Sequence, residues 1–125
     1  MDKPTPVPTE IRARSAAREL FVQFEDGVEY TLPFEYLRVY SPSAEVTGHG
    51  GGPRLLIGGK ENVGVKAIEP VGQYAIRIVF DDGHDSGLYS WRILRELGEK
   101  FEANWQTYCD RLERAGVRRE PRPVE

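Results

Sequence analysis

Hydrophobic side chains recur at every second position over residues 20–24 and again over residues 28–32, which is the spacing of two strands. Asp26 and Gly27 stand between the two runs, and glycine can adopt the positive φ of a tight hairpin turn. Pro33 follows the second run, where its fixed φ favours the first turn of a short helix. The pattern therefore predicts an antiparallel hairpin that leads into a helix.

A similar pattern returns in the second half of the chain. Residues 65–71 and 74–80 are predicted to be strands joined at Gly72, and Asp82 with Gly83 predicts another hairpin turn. The second of these strands is predicted to turn four residues to one face: Tyr74, Ile76, Ile78 and Phe80. Both Asp-Gly turns precede a short helix with a Leu-Arg pair, so we interpret them as two similar hairpin–helix units.

Two helices are predicted after the second hairpin. Ser90 is suited to cap the first, over residues 91–97, which Gly98 is predicted to end. The second is predicted over residues 99–115, ending at Gly116, with a buried stripe at helical spacing: Phe101, Trp105, Tyr108 and Leu112. The fold class is therefore predicted to be α+β: a small, mainly antiparallel twisted sheet of about four to six strands with the hairpin–helix units, and the two C-terminal helices packed on one face.

Proline and glycine mark the predicted boundaries. Three prolines within the first eight residues predict a flexible tail over residues 1–17, and two near the end predict another over residues 117–125. Residues 18–116 are predicted to form a single domain. Within it, the glycine-rich residues 41–59 are predicted to form a long loop, in which residues 55–57 could form a short strand.

Composition narrows the class of protein. The chain has 125 residues, of which 39% are hydrophobic, and this is enough for one globular domain. Cys109 is the only cysteine, which excludes an internal disulfide and a cysteine-rich zinc cluster. The N-terminus lacks the pattern of a signal peptide and no apolar run approaches a membrane span, so we expect a cytoplasmic protein. The net charge of −3 gives no general attraction to nucleic acid.

Residues 81–95 carry the most specific motif, D-D-G-H-D-S-G-L-Y-S-W-R-I-L-R. The segment resembles the signature of the gamma-butyrobetaine hydroxylase-like N-terminal domain family (former domain of unknown function 971), which typically reads D-G-H-x-(S/T)-G-(I/L)-Y-x-(W/F)-x-x-L-R. The resemblance extends over roughly residues 20–97 and is to the stand-alone bacterial type. It implies an accessory domain and names no substrate.

The resemblance also implies a zinc site in some relatives. In metal-binding members three cysteines, in the pattern C-P-C-x-x-C, and the histidine of the D-G-H motif hold zinc. Carried over by position, these ligands fall on Ser41, Ser43, Val46 and His84. Only His84 has a zinc-binding side chain, so we expect a degenerate zinc site, no bound metal and no cofactor. His84 could be a structural turn residue, could line a binding groove, or could bind metal weakly with His49 or a carboxylate.

A set of aromatic and basic residues is the candidate partner-binding face. Tyrosine, tryptophan and arginine dominate binding hot spots, and both hairpin units carry them near their turns. If the two hairpins lie side by side, these residues could share one surface. The alternative is core packing with a solvated rim. The candidate contacts are Arg38, Tyr40, His84, Tyr89, Trp91 and Arg95.

These features are compatible with three classes of function. In the family that the chain resembles, the domain occurs alone in bacteria and fused to the hydroxylase or to iron–sulfur scaffold ATPases. This implies a non-catalytic module that recognises a protein partner, with iron–sulfur assembly machinery as the candidate. The alternative is a metal-binding protein with a degenerate zinc site centred on His84. An enzyme is disfavoured, because the chain has no H-x-D motif for an iron oxygenase and is too short for a second domain.

Overall fold

The computed structural model describes residues 5–43 and 55–119. The first part holds three strands and a helix: β1 (Pro8–Arg14), β2 (Glu19–Phe24), β3 (Glu29–Pro33) and α1 (Phe34–Val39). The second part holds three more strands and two helices: β4 (Val65–Val71), β5 (Ala75–Phe80), β6 (Leu88–Ser90), α2 (Trp91–Glu99) and α3 (Phe101–Arg114). The predicted α+β class is confirmed, with the strands divided between two sheets.

Each sheet is an antiparallel meander of three strands that runs directly into a helix. The first has the order β1-β2-β3 and leads into α1, and the second has the order β4-β5-β6 and leads into α2. We call residues 8–39 the N-terminal unit and residues 65–99 the C-terminal unit. The two hairpin–helix units interpreted from the sequence are therefore present, each with one strand added before its hairpin.

The two Asp-Gly turns have the same geometry. Gly27 has a φ of 86° and Gly83 a φ of 92°, which is the region where a Cβ is disfavoured. Phe24 closes the first turn by donating its N–H to the Val28 carbonyl at 2.9 Å. Phe80 closes the second by donating to the His84 carbonyl at 3.0 Å. His84 is thus positioned as a residue of the second turn.

One core lies between the two sheets and joins them. Alternate side chains of β2 and β5 are buried, as the period of two predicts, and they form one cluster with residues of α1 and α2. Its largest fully buried members come from both units: Tyr36, Tyr89, Phe24, Phe34 and Phe80. Helix α3 adds a smaller cluster in which Tyr108 and Leu112 pack with Val39. The predicted stripe of α3 is partly correct, since Phe101 and Trp105 are only half-buried.

The predicted N-terminal tail over residues 1–17 is wrong for much of its length. Residues Pro8–Arg14 form β1, in which Ile11 pairs with Val22 of β2. Pro8 is the first residue of the strand, where the missing N–H removes no bond from the sheet interior. Ile11 and Ala13 pack against the core cluster. Proline at the start of an edge strand is thus compatible with pairing, and the short alternation of residues 9–13 is that of a strand.

Several boundaries also differ from the predictions. Tyr74 lies in the turn before β5 and is 75% exposed, so it does not share the buried face. Helix α2 continues through Gly98 to Glu99. Residues 55–57 form no strand. The end of α3 is as expected, because Gly116 has a φ of 70° just beyond it.

Gly98 has a packing role in place of the predicted capping role. A Cβ at this position would lie 2.4 Å from Cδ2 of Tyr30 and 2.5 Å from its Cγ. Helix α2 therefore approaches strand β3 more closely than a side chain would allow.

The C-terminal tail prediction is also corrected in part, since Arg119 binds Glu35 and Trp105. Residues 120–125 lie outside the described residues.

Candidate functional site

Serine hydroxyls lie beside the predicted site histidine and on the segment that follows α1. Ser41 follows α1, and its Oγ lies 2.8 Å from Nε2 of His84. Ser43 lies two residues further along, and its Oγ is 2.7 Å from that of Ser86. These contacts fasten the segment after α1 to the second Asp-Gly turn. We call Ser41, Ser43, His84 and Ser86 the serine–histidine cluster.

Three of the four members of the cluster are buried, and Ser86 lies at its exposed edge. Ser41 is fully buried, and His84 is only 6% exposed. Gly87 is required beside it, because a Cβ there would lie 2.4 Å from the Ser41 Oγ. The ring of His84 packs near that of Phe80, with centroids 6.1 Å apart. His84 is therefore a packed and hydrogen-bonded residue of the turn, as one of its three interpretations states.

Asp82 connects the same turn to the N-terminal unit. Its carboxylate accepts from Nε of Arg38 at 2.8 Å and from Nζ of Lys60 at 2.7 Å. It also accepts the backbone N–H of His84 at 3.1 Å. Burial of this carboxyl acts to raise its pKa, but the hydrogen bonds from Lys60, His84 and Arg38 outweigh it and hold the pKa at about 2.

The first Asp-Gly turn makes the reciprocal contact. Asp26 accepts two hydrogen bonds from Arg95 of α2, at 3.0 and 2.8 Å. This bond lowers the pKa of the Asp26 carboxyl and raises the pKa of Arg95. The guanidinium of Arg95 also lies 5.0 Å from the ring centroid of Phe24. Each turn aspartate thus binds the arginine of the other unit's Leu-Arg pair, and we call these two contacts the crossed ion pairs.

The candidate partner-binding residues do not form one surface. Tyr89 has no exposed area, and its hydroxyl donates to the Leu37 carbonyl, so the prediction that it contacts a partner is wrong in this structure. His84 is buried, as described above, and Arg38 and Arg95 are engaged in the crossed ion pairs. Trp91 is half-buried and donates its indole N–H to the Gln73 carbonyl at 2.8 Å. Arg38, Tyr89 and Arg95 thus join the two units, whereas the bond of Trp91 lies within the C-terminal unit.

Tyr40 is the candidate that lies at an open cleft. The cleft has a volume of about 330 Å³ and runs between the end of α1 and the junction of α2 with α3. Tyr40 is half-buried and donates its hydroxyl to the Asn104 carbonyl at 2.8 Å, which fixes the ring at the wall. We call this the Tyr40 cleft. Its lining residues are Tyr40, Pro42, Ile93, Glu96, Leu97, Lys100 and Asn104.

The residues at the zinc-ligand positions do not fit zinc. Ser41, Ser43 and His84 are brought together, as the resemblance implies, whereas Val46 and His49 lie outside the described residues. Structural zinc needs four ligands of sulfur or nitrogen. Among the described ligand positions only the imidazole of His84 offers one, and its Nε2 already has a hydroxyl partner. Within residues 5–43 and 55–119, no three histidine, cysteine, aspartate or glutamate side chains converge to hold a metal.

The sequence analysis missed Glu35 and Arg119. Glu35 is a buried carboxylate within α1, and Arg119 lies in the segment that was predicted to be a tail. A signal was present for the first, since Glu35 stands between two aromatic residues in a helix whose residues are mostly buried. Arg119 carried no local signal, because its partner is distant in sequence.

Among the described residues no helix is long and apolar enough to cross a membrane.

Comparison with solved structures supports the fold over the full chain. Two NMR solution structures of proteins are each 44% identical to this chain, with TM-scores of 0.82 and 0.81. The first match covers all of this chain and 96% of the other, and the second covers 97% and 95%. No curated protein matches the chain.

A third structure is a crystal structure of a protein with unknown function from Acidithiobacillus ferrooxidans, which belongs to the DUF971 family. It is 37% identical, with a TM-score of 0.65, and the match covers 78% of this chain and 98% of that one. The family model described as gamma-butyrobetaine hydroxylase-like, N-terminal, matches residues 11–95, which include most of both units and the whole serine–histidine cluster. The chain therefore belongs to the gamma-butyrobetaine hydroxylase-like N-terminal family.

Proposed function

We propose that this domain is a non-catalytic accessory module that binds a protein partner through the Tyr40 cleft. The observation that supports this most is the cleft itself, which sets a fixed aromatic ring beside apolar side chains and exposed charges of both signs. Ile93 and Leu97 supply the apolar wall, and Glu96 and Lys100 are exposed at the rim. This combination of an apolar centre with a polar rim is typical of recognition surfaces.

The occupant we propose is a polypeptide segment that inserts an apolar side chain. A volume of about 330 Å³ accommodates one or two such side chains, and Tyr40 is held in place before binding. A fixed ring loses little conformational freedom when a partner arrives. Glu96 and Lys100 would then orient the partner by pairing with a cation and an anion on its flanks.

The absence of catalysis is also part of the proposal. The imidazole of His84 binds Ser41, and the carboxylate of Asp82 binds two cations. These are two of the groups of the signature that could otherwise act as acid or base, and here both are engaged in structural contacts. The link to iron–sulfur assembly machinery in the cytoplasm rests on the resemblance, in whose family the domain is fused to scaffold ATPases.

The experiment is capture of partners on the immobilised protein, with a matched pair of charge reversals. Lys100 lies on the rim of the cleft, and Lys66 is an exposed lysine on β4 outside it. We expect a protein identified by mass spectrometry to be retained by wild type and by Lys66→Glu, and to be depleted about tenfold with Lys100→Glu. Equal retention by both variants would place the contact elsewhere.

The alternative function is metal binding centred on His84, and the hydrogen bond of this imidazole argues against it. We propose that hydrogen bonds of the serine–histidine cluster have replaced the zinc of the metal-binding relatives. The contact of 2.8 Å between Ser41 and His84 supports this, because it joins two ligand positions directly. A net contribution of about 1 kcal/mol for each hydrogen bond is small beside roughly 10 kcal/mol or more for structural zinc.

A further inference from the structure

Helix α1 carries a charged group inside the protein. Glu35 is 4% exposed, and its carboxylate accepts three hydrogen bonds. Arg119 donates from Nε to Oε2 at 2.9 Å and from its terminal nitrogen to Oε1 at 2.6 Å. The hydroxyl of Tyr108 donates to Oε2 at 2.8 Å. A carboxylate buried this deeply needs a cation, because an unpaired buried charge is strongly unfavourable.

The contacts are specific for a guanidinium. Two N–H groups of Arg119 meet both carboxylate oxygens, a forked geometry that an ammonium cannot reproduce. Cζ of the same group lies 5.1 Å from the ring centroid of Trp105, which adds a cation–π contact. The ion pair raises the pKa of Arg119, and burial together with Glu35 raises the pKa of Tyr108. Arg119 therefore stays protonated and Tyr108 keeps the hydroxyl proton that it donates.

Arg119 reaches this site as a tethered side chain. The last backbone hydrogen bond that joins two described residues is from Val117 N–H to the Leu112 carbonyl, at 2.9 Å. Arg118 is exposed, and Arg119 itself remains 32% exposed. Residue 119 is thus held in place by the contacts of its side chain. A segment held in this way can open locally without unfolding of the core.

The site continues into open space. A cleft of about 210 Å³ adjoins the guanidinium and has ring faces, acids and a second arginine on its walls. Glu61 is buried in its wall, and Phe101 extends the aromatic surface beyond Trp105. A polypeptide could therefore follow an arginine into the site. The lining residues are Arg18, Pro33, Glu35, Glu61, Phe101, Trp105 and Arg119.

We propose that Glu35, Tyr108 and Trp105 form an arginine-binding site that the chain's own Arg119 occupies, and that this site accepts the arginine side chain of another polypeptide when Arg119 is withdrawn. Tethering gives Arg119 an effective concentration in the millimolar range, so a free peptide cannot compete with it in the wild-type protein. The site therefore has to be tested with its own arginine removed.

The test uses full-length Arg119→Ala and the blocked peptide Gly-Val-Arg-Arg-Glu, which is the sequence of residues 116–120. The control peptide has citrulline in place of its second arginine, with nearly the same shape and no charge. Binding is followed by NMR through the indole N–H of Trp105, and the indole of Trp91, bonded to Gln73, is the internal reference. The chain has no other tryptophan.

We expect the arginine peptide to shift the Trp105 signal of Arg119→Ala and the citrulline peptide to bind at least about tenfold more weakly. Wild type should show no shift at the same concentration, and Glu35→Gln combined with Arg119→Ala should bind neither peptide. If Arg119→Ala is unfolded alone, the arginine peptide should restore its folded spectrum. Equal binding of both peptides, binding by wild type, or no effect of the arginine peptide on Arg119→Ala would overturn the proposal.

Discussion

Replacing Gly98 by alanine should destabilise the protein, although alanine is the better helix former. Gly98 lies near the end of α2, where the change would favour the helix by at most about 1 kcal/mol. The added methyl group, however, would lie 2.4 to 2.6 Å from three ring atoms of Tyr30. Overpacking of this kind costs about 1–3 kcal/mol, since the ring can move aside only by leaving its rotamer or by a shift of the β3 backbone. The steric term is therefore expected to exceed the helix term.

The sign of the effect should reverse when the ring is removed. A Tyr30→Ala background removes the three atoms nearest to the added methyl group, so Gly98→Ala should then stabilise by about 0.5–1 kcal/mol. In the wild-type background we expect destabilisation by about 1 kcal/mol, or roughly 4–8 °C in Tm. Urea denaturation followed by tryptophan fluorescence gives both values in one double-mutant cycle. A higher stability of Gly98→Ala in the wild-type background, or the same sign in both, would show that α2 and β3 are not packed this closely.

Three other outcomes are expected. In the first variant, cysteine replaces Ser41, Ser43 and Val46 together, which are the positions of the lost zinc ligands. It should bind one zinc ion tightly with His84, as measured by metal analysis and chelator competition, and a variant that binds none would refute the positional match. The pKa of Asp82 lies below its usual value, so its stabilisation is complete above about pH 4 and is lost as the pH falls towards 2. Asp82→Asn should therefore cost about 1–2 kcal/mol at pH 7 and almost nothing at pH 2, as measured by urea denaturation, and a constant cost would contradict this. Finally, incubation with iron(II), 2-oxoglutarate and gamma-butyrobetaine should yield no succinate above background, whereas turnover that depends on His84 would overturn the non-catalytic proposal.

The sequence predicted those parts of the fold whose causes are local. The Asp-Gly turns, the alternation in β2 and β5 and the Ser90 cap each depend on residues within a few positions, and Ser90 does accept the N–H of Ile93 at 3.1 Å. Strand β1 was missed because three prolines outweighed a short alternation that only pairing with β2 makes decisive.

The candidate site was harder to predict because its contacts join distant residues. The family motif identified the positions of Ser41 and His84, which the fold brings within hydrogen-bond distance. It could not show that Tyr89 turns inward, since a tyrosine in a strand can face the core or the solvent with equal local preference. Arg119 and Glu35 are 84 residues apart, so no pattern in the sequence links them.

The crossed ion pairs have a consequence for the independence of the two units. Asp26 of the first unit binds Arg95 of the second, and Asp82 of the second binds Arg38 of the first. The turn aspartate of each unit contacts the helix arginine of the other. The same reciprocal pattern occurs in an isologous dimer interface, but here both partners belong to one polypeptide. Each unit carries both halves of the motif and completes neither by itself. In its contacts the domain is therefore organised like a dimer of two hairpin–helix units within one chain, and separating the units would break both ion pairs.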